Sequence, residues 1–428
     1  MTLLTLVRRN LGHYWQTNLA VIAGVSVAVS VLTGALLVGS SVRSSLRDLA
    51  LERLGATDQV ITSAGFVRES LADELAAADG MRAAFGGAVP MIAIEGFVTH
   101  QESARRATGI QVYGVDDRFW KFHGQKLGGI DTNAVLVSEG LADELGAQVG
   151  QALLVRVEKP SVVPISSLHG RRDDIGRTLR LSVARVLTPE ALGEFSFRSQ
   201  QGRARSVFVS LDRLQRELEQ AGRINTILLR MAGTRPADAA DSEFRLATAE
   251  AAVREVATLE DLGLRVRELP IQGALAVESV AGLLNDQTAA AIEAAAGTQG
   301  LRTMPVLTYL ANQFRLGERV TPYSLVAALD LRLISGSAEP LTATGLPPIV
   351  LNDWTADDLG AQVGDTLTLE YYVWEDEGRL TTHQTELEVA QVVPIEGRAD
   401  DRNLAPDYPG ITGAADVTDW DPPFEIEL

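Results

Sequence analysis

The sequence predicts an α+β protein: one N-terminal transmembrane helix, then a tandem duplicated α+β module outside the cytoplasm, the second copy incomplete. Three observations predict it. Residues 19–39, LAVIAGVSVAVSVLTGALLVG, carry no charge. The hexamer LGAQVG occurs twice, at 145–150 and at 359–364. The flanks of the two hexamers repeat one order of apolar runs, capping residues and glycines. The domains expected are 1–44 for the cytoplasmic start and the span, 45–235 for the first module and 236–428 for the second.

At about 1.5 Å per residue, an uncharged helix of about 21 residues crosses a hydrocarbon core of about 30 Å. Arg8 and Arg9 precede it and hold that end in the cytoplasm, while Tyr14 and Trp15 suit the interface. A cleaved signal peptide is the alternative. Its apolar region is shorter, about 7–15 residues, and no clear small-x-small site closes this one. The Ala-rich stretch GLLNDQTAAAIEAAAG is interrupted by Asn285, Asp286 and Glu293 and reads as a surface helix. No later segment reads as a span. The chain is therefore expected to cross the inner membrane once, N-terminus inside and bulk outside.

The first hexamer stands in NAVLVSEGLADELGAQVGQALLVRVEK, from Asn133, and the second in PPIVLNDWTADDLGAQVGDTLTLEYYVWE, from Pro347. Each reads as strand, short helix, turn, strand. Ser138 in the first copy, and Asn352 or Thr355 in the second, are candidate N-caps; Thr355-x-x-Asp358 fits a capping box. Leu141 and Leu145 supply a buried stripe. Gly146 and Gly360 fit the left-handed position that ends a helix, and Gly150 and Gly364 the turn beyond it.

The pairing extends past the hexamer. Leu145 and Leu359 are 214 apart (359 − 145), as are Asp116 and Asp330 (330 − 116). PMIAIEGFV pairs with PVLTYLANQF as a strand, VYGVDDRF with LVAALDLRL as the returning strand, and LRLSVARVL with TELEVAQVV as an alternating strand. SAGFVRESLADELAAA and SVAGLLNDQTAAAIEAA each read as a turn followed by a helix. Residues 60–229 and 277–428 are expected to superpose. Copy one alone continues into SVFVSLDRLQRELEQAGRINTILLR, a strand, a helix from near Asp212, a turn and a strand. Copy two runs to DWDPPFEIEL without such a unit, which leaves an uncompleted sheet. The hexamer itself reads as a structural corner.

Composition narrows the chemistry. With 46% hydrophobic and 22% charged residues, 428 residues can bury two or three cores. A net charge of −18 repels nucleic acid. The absence of Cys excludes disulfides, thiolate nucleophiles and Cys-ligated zinc. No G-x-x-x-x-G-K-[ST], H-E-x-x-H, G-x-S-x-G or G-x-G-x-x-G occurs, so no enzyme is expected and no catalytic, cofactor or metal residue is assigned. The best metal candidate is Asp116, Asp117 and His123 in GVDDRFWKFHG, yet their number and spacing fit no template, and a turn at a strand end explains them better. The acidic run EGRADDRNLAPDYPGITGAADVTDWDPPFEIEL lacks the D-x-[DN]-x-[DN]-G spacing and reads as a solvated connector. In HGRRDDIGRTLR, Arg171, Arg172, Arg177 and Arg180 alternate with Asp173 and Asp174, which reads as an exposed hairpin.

A basic amphipathic start, a single span running into GSSVRSSLRDLALERLG, and an outer module with LADELGAQVGQAL and VFVSLDRLQ…INTILL resemble ABC-transporter permeases of the FtsX/MacB type. The resemblance implies a MacB-like periplasmic core domain and a cytoplasmic ABC ATPase as partner, with a second permease chain as a further one. It also implies that ATP-driven movement crosses the membrane to the outer module for export or for lipoprotein and envelope work. Such permeases carry at least four spans, whereas this sequence shows one. The alternative expectation is a stand-alone, membrane-anchored binding or scaffold protein with no ATPase.

Overall fold

The computed structural model describes residues 3–158, 176–198, 202–233, 239–270, 272–280, 282–336, 341, 345–374 and 380–404. It is mixed α+β with one long apolar helix at the N-terminus. The chain forms two compact units. The first holds Met1–Ser63, Glu69–Val157 and Thr178–Val253; the second holds Ala64–Arg68, Glu158–Arg177 and Arg254–Leu428.

A short helix, α1 (Leu3–His13), precedes α2 (Trp15–Arg53), a helix of 39 residues. By length and composition α2 can cross a membrane. It runs 14 residues beyond Gly39 (53 − 39), because SSVRSSLRDLALER contains neither Gly nor Pro and ends in strong helix formers. Gly55, at φ 56°, stops it.

After α2 the chain continues with β1 (Gln59–Arg68), α3 (Ser70–Ala77), α4 (Met81–Ala84), β2 (Phe85–His100), β3 (Arg106–Val115), α5 (Asp117–Phe122), β4 (Ala134–Ser138), α6 (Glu139–Leu145), β5 (Ala152–Glu158) and β6 (Gly176–Leu187). Then come β7 (Ser206–Ser210), α7 (Leu211–Glu217), β8 (Arg223–Met231) and α8 (Ala239–Val256). SAGFVR was expected as a turn; it is the second half of β1. The sheet order is β1-β8-β2-β3-β7-β4-β6-β5, and β5 also pairs with β2. Strands β2-β3-β7-β4-β6-β5 therefore close a ring of six. Strand β2 is long enough to serve two neighbours, with residues 85–91 on β8 and 96–100 on β5. Met91, Tyr113, Phe119, Trp120, Phe195 and Phe208 belong to one buried cluster.

The second unit contains β9 (Leu264–Leu269), β10 (Ala274–Ser279), α9 (Asp286–Thr298), β11 (Leu307–Leu310), β12 (Gln313–Leu316), β13 (Arg319–Pro322), β14 (Leu325–Ala328) and α10 (Arg332–Ser335). It goes on with β15 (Pro348–Asn352), α11 (Asp353–Leu359), β16 (Thr366–Trp374) and β17 (Leu380–Val393). Five strands form the order β13-β12-β16-β17-β15, while β10-β9 and β11-β14 are separate pairs. PVLTYLANQF was expected as one strand. It is two, because the chain changes partner between them: β11 pairs with β14, and β12 with β13 and β16. Helix α9 has no buried residue, as its composition predicts.

The two hexamers have the same geometry. Gly146 (φ 65°, ψ 31°) and Gly360 (φ 65°, ψ 29°) end α6 and α11 in the left-handed region. Ala147 N–H donates to Ala142 O at 2.9 Å, and Ala361 N–H to Ala356 O at 2.8 Å. Gly150 (φ 91°) and Gly364 (φ 97°) turn the chain, and their N–H groups donate to Val183 O and Val389 O, at 2.7 and 2.8 Å. β4 runs parallel to β6 with a shift between Val135 and Leu136; β15 runs parallel to β17 with a shift between Ile349 and Val350. Arg105 lies over Gly146, and Arg319 over Gly360.

The caps differ from expectation. Ser138 precedes α6 but makes no side-chain cap; its hydroxyl accepts from Ser206 N–H at 3.1 Å, on β7. In the second unit Asn352 is the cap, accepting from Thr355 N–H at 2.7 Å. Thr355 is buried within α11, so no capping box forms there, and Asp358 instead accepts from the Thr321 hydroxyl at 2.5 Å. The hairpin expected around Arg171, Arg172, Asp173 and Asp174 lies outside the described residues, as does the acidic run beyond Leu404.

Candidate functional site

The point where α2 enters the first unit is the most closely determined joint near the apolar helix. Arg53, in its last turn, is buried. Its Nη2 donates to Glu194 Oε2 at 3.0 Å and to Gly202 O at 2.7 Å. Glu194 Oε2 also accepts from Ala204 N–H at 2.8 Å. A guanidinium removed from water needs such partners, since a buried charge left alone costs several kcal/mol, on the order of 3–5. The helix terminus is also where a cation meets the negative end of the macrodipole.

Beyond Arg53 the chain makes a left-handed step at Gly55. A Cβ there would lie 2.7 Å from His123 Nδ1 and 3.1 Å from Leu192 Cδ2. Ala56 N–H donates to His123 Nδ1 at 3.1 Å. Asp58 follows, donating its N–H to Leu229 O at 2.9 Å and accepting from Met231 N–H at 2.8 Å. Within six residues the chain is thus tied to the α5 terminus, to the segment before β7 and to β8.

His123 is the centre of this joint. Its ring packs against Phe119, Phe122 and Phe195, with centroids 4.7, 5.0 and 5.4 Å away. Burial, and to a lesser degree the Arg230 charge, push its pKa down to about 4. The imidazole is neutral at pH 7, with Nδ1 free to accept from Ala56. A depressed histidine pKa stabilises the fold above the unfolded value, near 6.5, and that stability is lost as pH falls through the folded value. The loss expected between pH 8 and pH 5 is about 2 kcal/mol from this group. His123→Gln, whose amide oxygen can still accept, should flatten that part of the curve. An unchanged pH profile in the variant would remove His123 as its source.

The other metal candidates have different work. Asp116 accepts from Arg118 N–H and Nε, both at 2.8 Å, and caps α5. Asp330 likewise accepts from Arg332 N–H and Nε, at 3.1 and 2.9 Å, but the N-cap of α10 is Leu331, which makes no side-chain cap. Arg118 also pairs with Glu69. Among the described residues no cluster of three or more His, Asp or Glu could hold a metal ion. Sequence reasoning missed the joint, because its partners are far apart: Ala56 and His123 by 67 positions, Arg53 and Glu194 by 141.

A long apolar helix locked at its C-terminal end into an α+β module defines the class: a module carried on a helix able to span a membrane. The comparison with known families agrees. The model for the MacB-like periplasmic core domain matches residues 19–247, more than half of the chain, and the chain belongs to that family, the periplasmic domain of FtsX/MacB-like permeases. Among solved structures it is similar to the periplasmic region of MacB from Actinobacillus actinomycetemcomitans, at 10% identity and a TM-score of 0.28, over 46% of this chain and 82% of that one. It is also similar to the extracellular domain of the noncanonic ABC-type transporter YknZ from Gram-positive bacteria, at 12% identity and a TM-score of 0.30, over 52% of this chain and 100% of that one. No curated protein matches.

Proposed function

We propose that this chain is the membrane-anchored, extracytoplasmic part of an ABC-transporter permease of the FtsX/MacB type. It catalyses no reaction itself and couples a cytoplasmic ABC ATPase to export or to lipoprotein and envelope work. The observation that carries this reading is the unbroken α2, apolar at one end and buried at Arg53 at the other. Movement imposed on such a helix from the cytoplasm reaches the first unit through the Arg53–Glu194 and Ala56–His123 contacts, without a flexible linker to absorb it. Arg8 and Arg9 orient the chain with its N-terminus inside.

The same reading holds that the two units carry tandem copies of one module. It is supported by the paired corners, by the Asp116 and Asp330 carboxylates that each accept from the arginine two residues on, and by strand orders that correspond. The run β13-β12-β16-β17-β15 follows the run β3-β2-β5-β6-β4.

A reporter active only outside the cytoplasm, fused after Leu428, is expected to be active. In the same membranes a photoreactive residue in place of Leu6, on α1, should crosslink to a P-loop ATPase. An inactive reporter would reverse the orientation. An active reporter without ATPase capture would favour the stand-alone scaffold.

A further inference from the structure

The charge of this chain is divided unevenly. Residues 1–253 hold 28 Lys and Arg against 27 Asp and Glu, a net charge of +1. Residues 254–428 hold 10 against 29, a net charge of −19. A surface of the second kind repels another like itself, and no such repulsion keeps it from the first. The outer faces of two sets of strands, β3-β2-β5-β6 and β13-β12-β16-β17, show the same division residue by residue.

The corner glycines fix how these faces are matched, since Gly150 N–H donates to Val183 O and Gly364 N–H to Val389 O. Six residues beyond the glycines stand Arg156 on β5 and Glu370 on β16 (156 − 150, 370 − 364). Three before the accepting valines stand Arg180 on β6 and Glu386 on β17 (183 − 180, 389 − 386). Arg156 lies between buried Val155 and Val157, Arg180 between buried Leu179 and Leu181, and Glu370 beside buried Leu369, so these three side chains are on the outer faces. Glu386 pairs with Thr368, two residues from Glu370, and shares its face. Across the next strand Phe97 pairs with Arg156, and Gln313 with Glu370.

These charges are not neutralised where they stand. The Arg106 guanidinium lies 3.9 Å over the Phe97 ring centroid, with that of Arg156 at 5.7 Å. Arg180 Nε donates to a neutral group, Gln101 Oε1, at 2.9 Å. Glu370 accepts from Gln384 Nε2, also neutral, at 3.0 Å. Among the described residues, Arg106, Arg156 and Arg180 have no acidic partner, and Glu370 and Glu386 no cationic one. Each face also carries one charge of the other sign: Glu158 on β5, matched by Tyr372, and Arg315 on β12, matched by Thr99. No matched position carries the same charge twice.

We propose that the outer face of β3-β2-β5-β6 in one chain docks on the outer face of β13-β12-β16-β17 in a second copy of this chain. Pairing either face with its own copy sets arginine against arginine or glutamate against glutamate, and the crossed pairing is the one that avoids both. About a twofold axis the crossed contact forms twice, so the chain is complementary to itself although neither face is. Phe97 and Leu154 on one face, and Val320 and Tyr372 (38% and 39% exposed) on the other, add apolar area between the charges. Four strands make a modest contact. Two copies held by α2 in one membrane meet at a raised effective concentration, which offsets a weak interface. The matching of positions rests on the duplication reading.

The test uses the whole chain reconstituted in vesicles of neutral lipid. The sequence has no Cys, so Gln148→Cys carries a donor dye in one preparation and Gln362→Cys an acceptor in another. Both glutamines are exposed, at the turns before β5 and β16. Energy transfer between copies is expected to rise with surface density to a plateau, and to fall as salt screens the faces. Arg156→Glu with Arg180→Glu should raise the density for half-maximal transfer by about tenfold or more, as should Glu370→Arg with Glu386→Arg. All four together should restore it, because the two faces have then exchanged signs. Transfer that ignores both reversals places the contact elsewhere and overturns the proposal, as does no transfer at any density or no recovery in the fourfold variant. Transfer within a doubly labelled chain diluted among unlabelled copies makes the chain its own occupant and overturns the second copy. Amide exchange on the same samples checks the duplication reading. Free exchange of Gly364 beside a protected Gly150 sinks that reading; protection of both, with transfer blind to charge, sinks the docking alone.

Discussion

Truncation of either corner leucine, Leu145→Ala or Leu359→Ala, is expected to destabilise its own unit by about 2–5 kcal/mol. Both side chains are almost wholly removed from water, at 0% and 1% exposure. Each closes a short helix against a parallel strand pair, and deletion leaves a cavity as well as losing the transfer free energy. The cost depends on how far the walls collapse. Leu145 sits in a unit closed by a six-stranded ring, so its loss should fall at the upper end. Leu359 packs with Phe314, Leu351, Leu367, Leu369 and Val389 beside strands that are half exposed, and its loss should fall lower. Two units need not unfold in one step, so the readout is amide exchange of β5 and β16 separately. Gln148→Ala and Gln362→Ala, at the exposed residues of the same hexamers, should change stability by about 0.5 kcal/mol or less. Full stability with lost function in either Gln variant would make the hexamer a binding element.

What could be read from the sequence was local. The corners were legible because the groups that announce them stand close together in sequence: the apolar run, the leucines and two glycines that only a left-handed turn explains. The apolar helix was legible for the same reason, although its continuation to Arg53 depends on propensity alone and was not foreseen. The caps show where this reading stops. Ser138 and Asn352 look equivalent in sequence, yet Ser138 is claimed by Ser206, 68 positions away, and no pattern near Ser138 announces that competitor. The joint is illegible in the same way. Arg53, His123 and Glu194 carry no periodic signal, and each looks like an ordinary residue of its own segment. His123 attracted notice only as a metal candidate beside Asp116 and Asp117. Its burial, which sets its charge state and its role, comes from three phenylalanines and from the Gly55–Ala56 turn that follows α2.

Gly55→Val is expected to loosen the joint at a cost of about 2–6 kcal/mol. Two separate terms add. The backbone at φ 56° is strained for a β-branched residue, by about 1–3 kcal/mol. The new side chain must also displace the His123 ring and Leu192, and overpacking of this kind costs about 1–3 kcal/mol. Gly55→Ala separates the terms. Its Cβ alone meets His123 Nδ1 at 2.7 Å, so Gly55→Ala should cost less in a His123→Ala background than in the native one. The expected coupling is about 0.5–3 kcal/mol, the range for residues in contact. The strain term remains in both backgrounds, so the cost should shrink without vanishing. Exchange of the Ala56 amide reports the joint directly: it should quicken in Gly55→Val while β16 amides stay unchanged. Equal cost of Gly55→Ala in the two backgrounds would mean that the ring does not lie against this turn. The apolar helix would then not be locked to the first unit in the way that coupling through it requires.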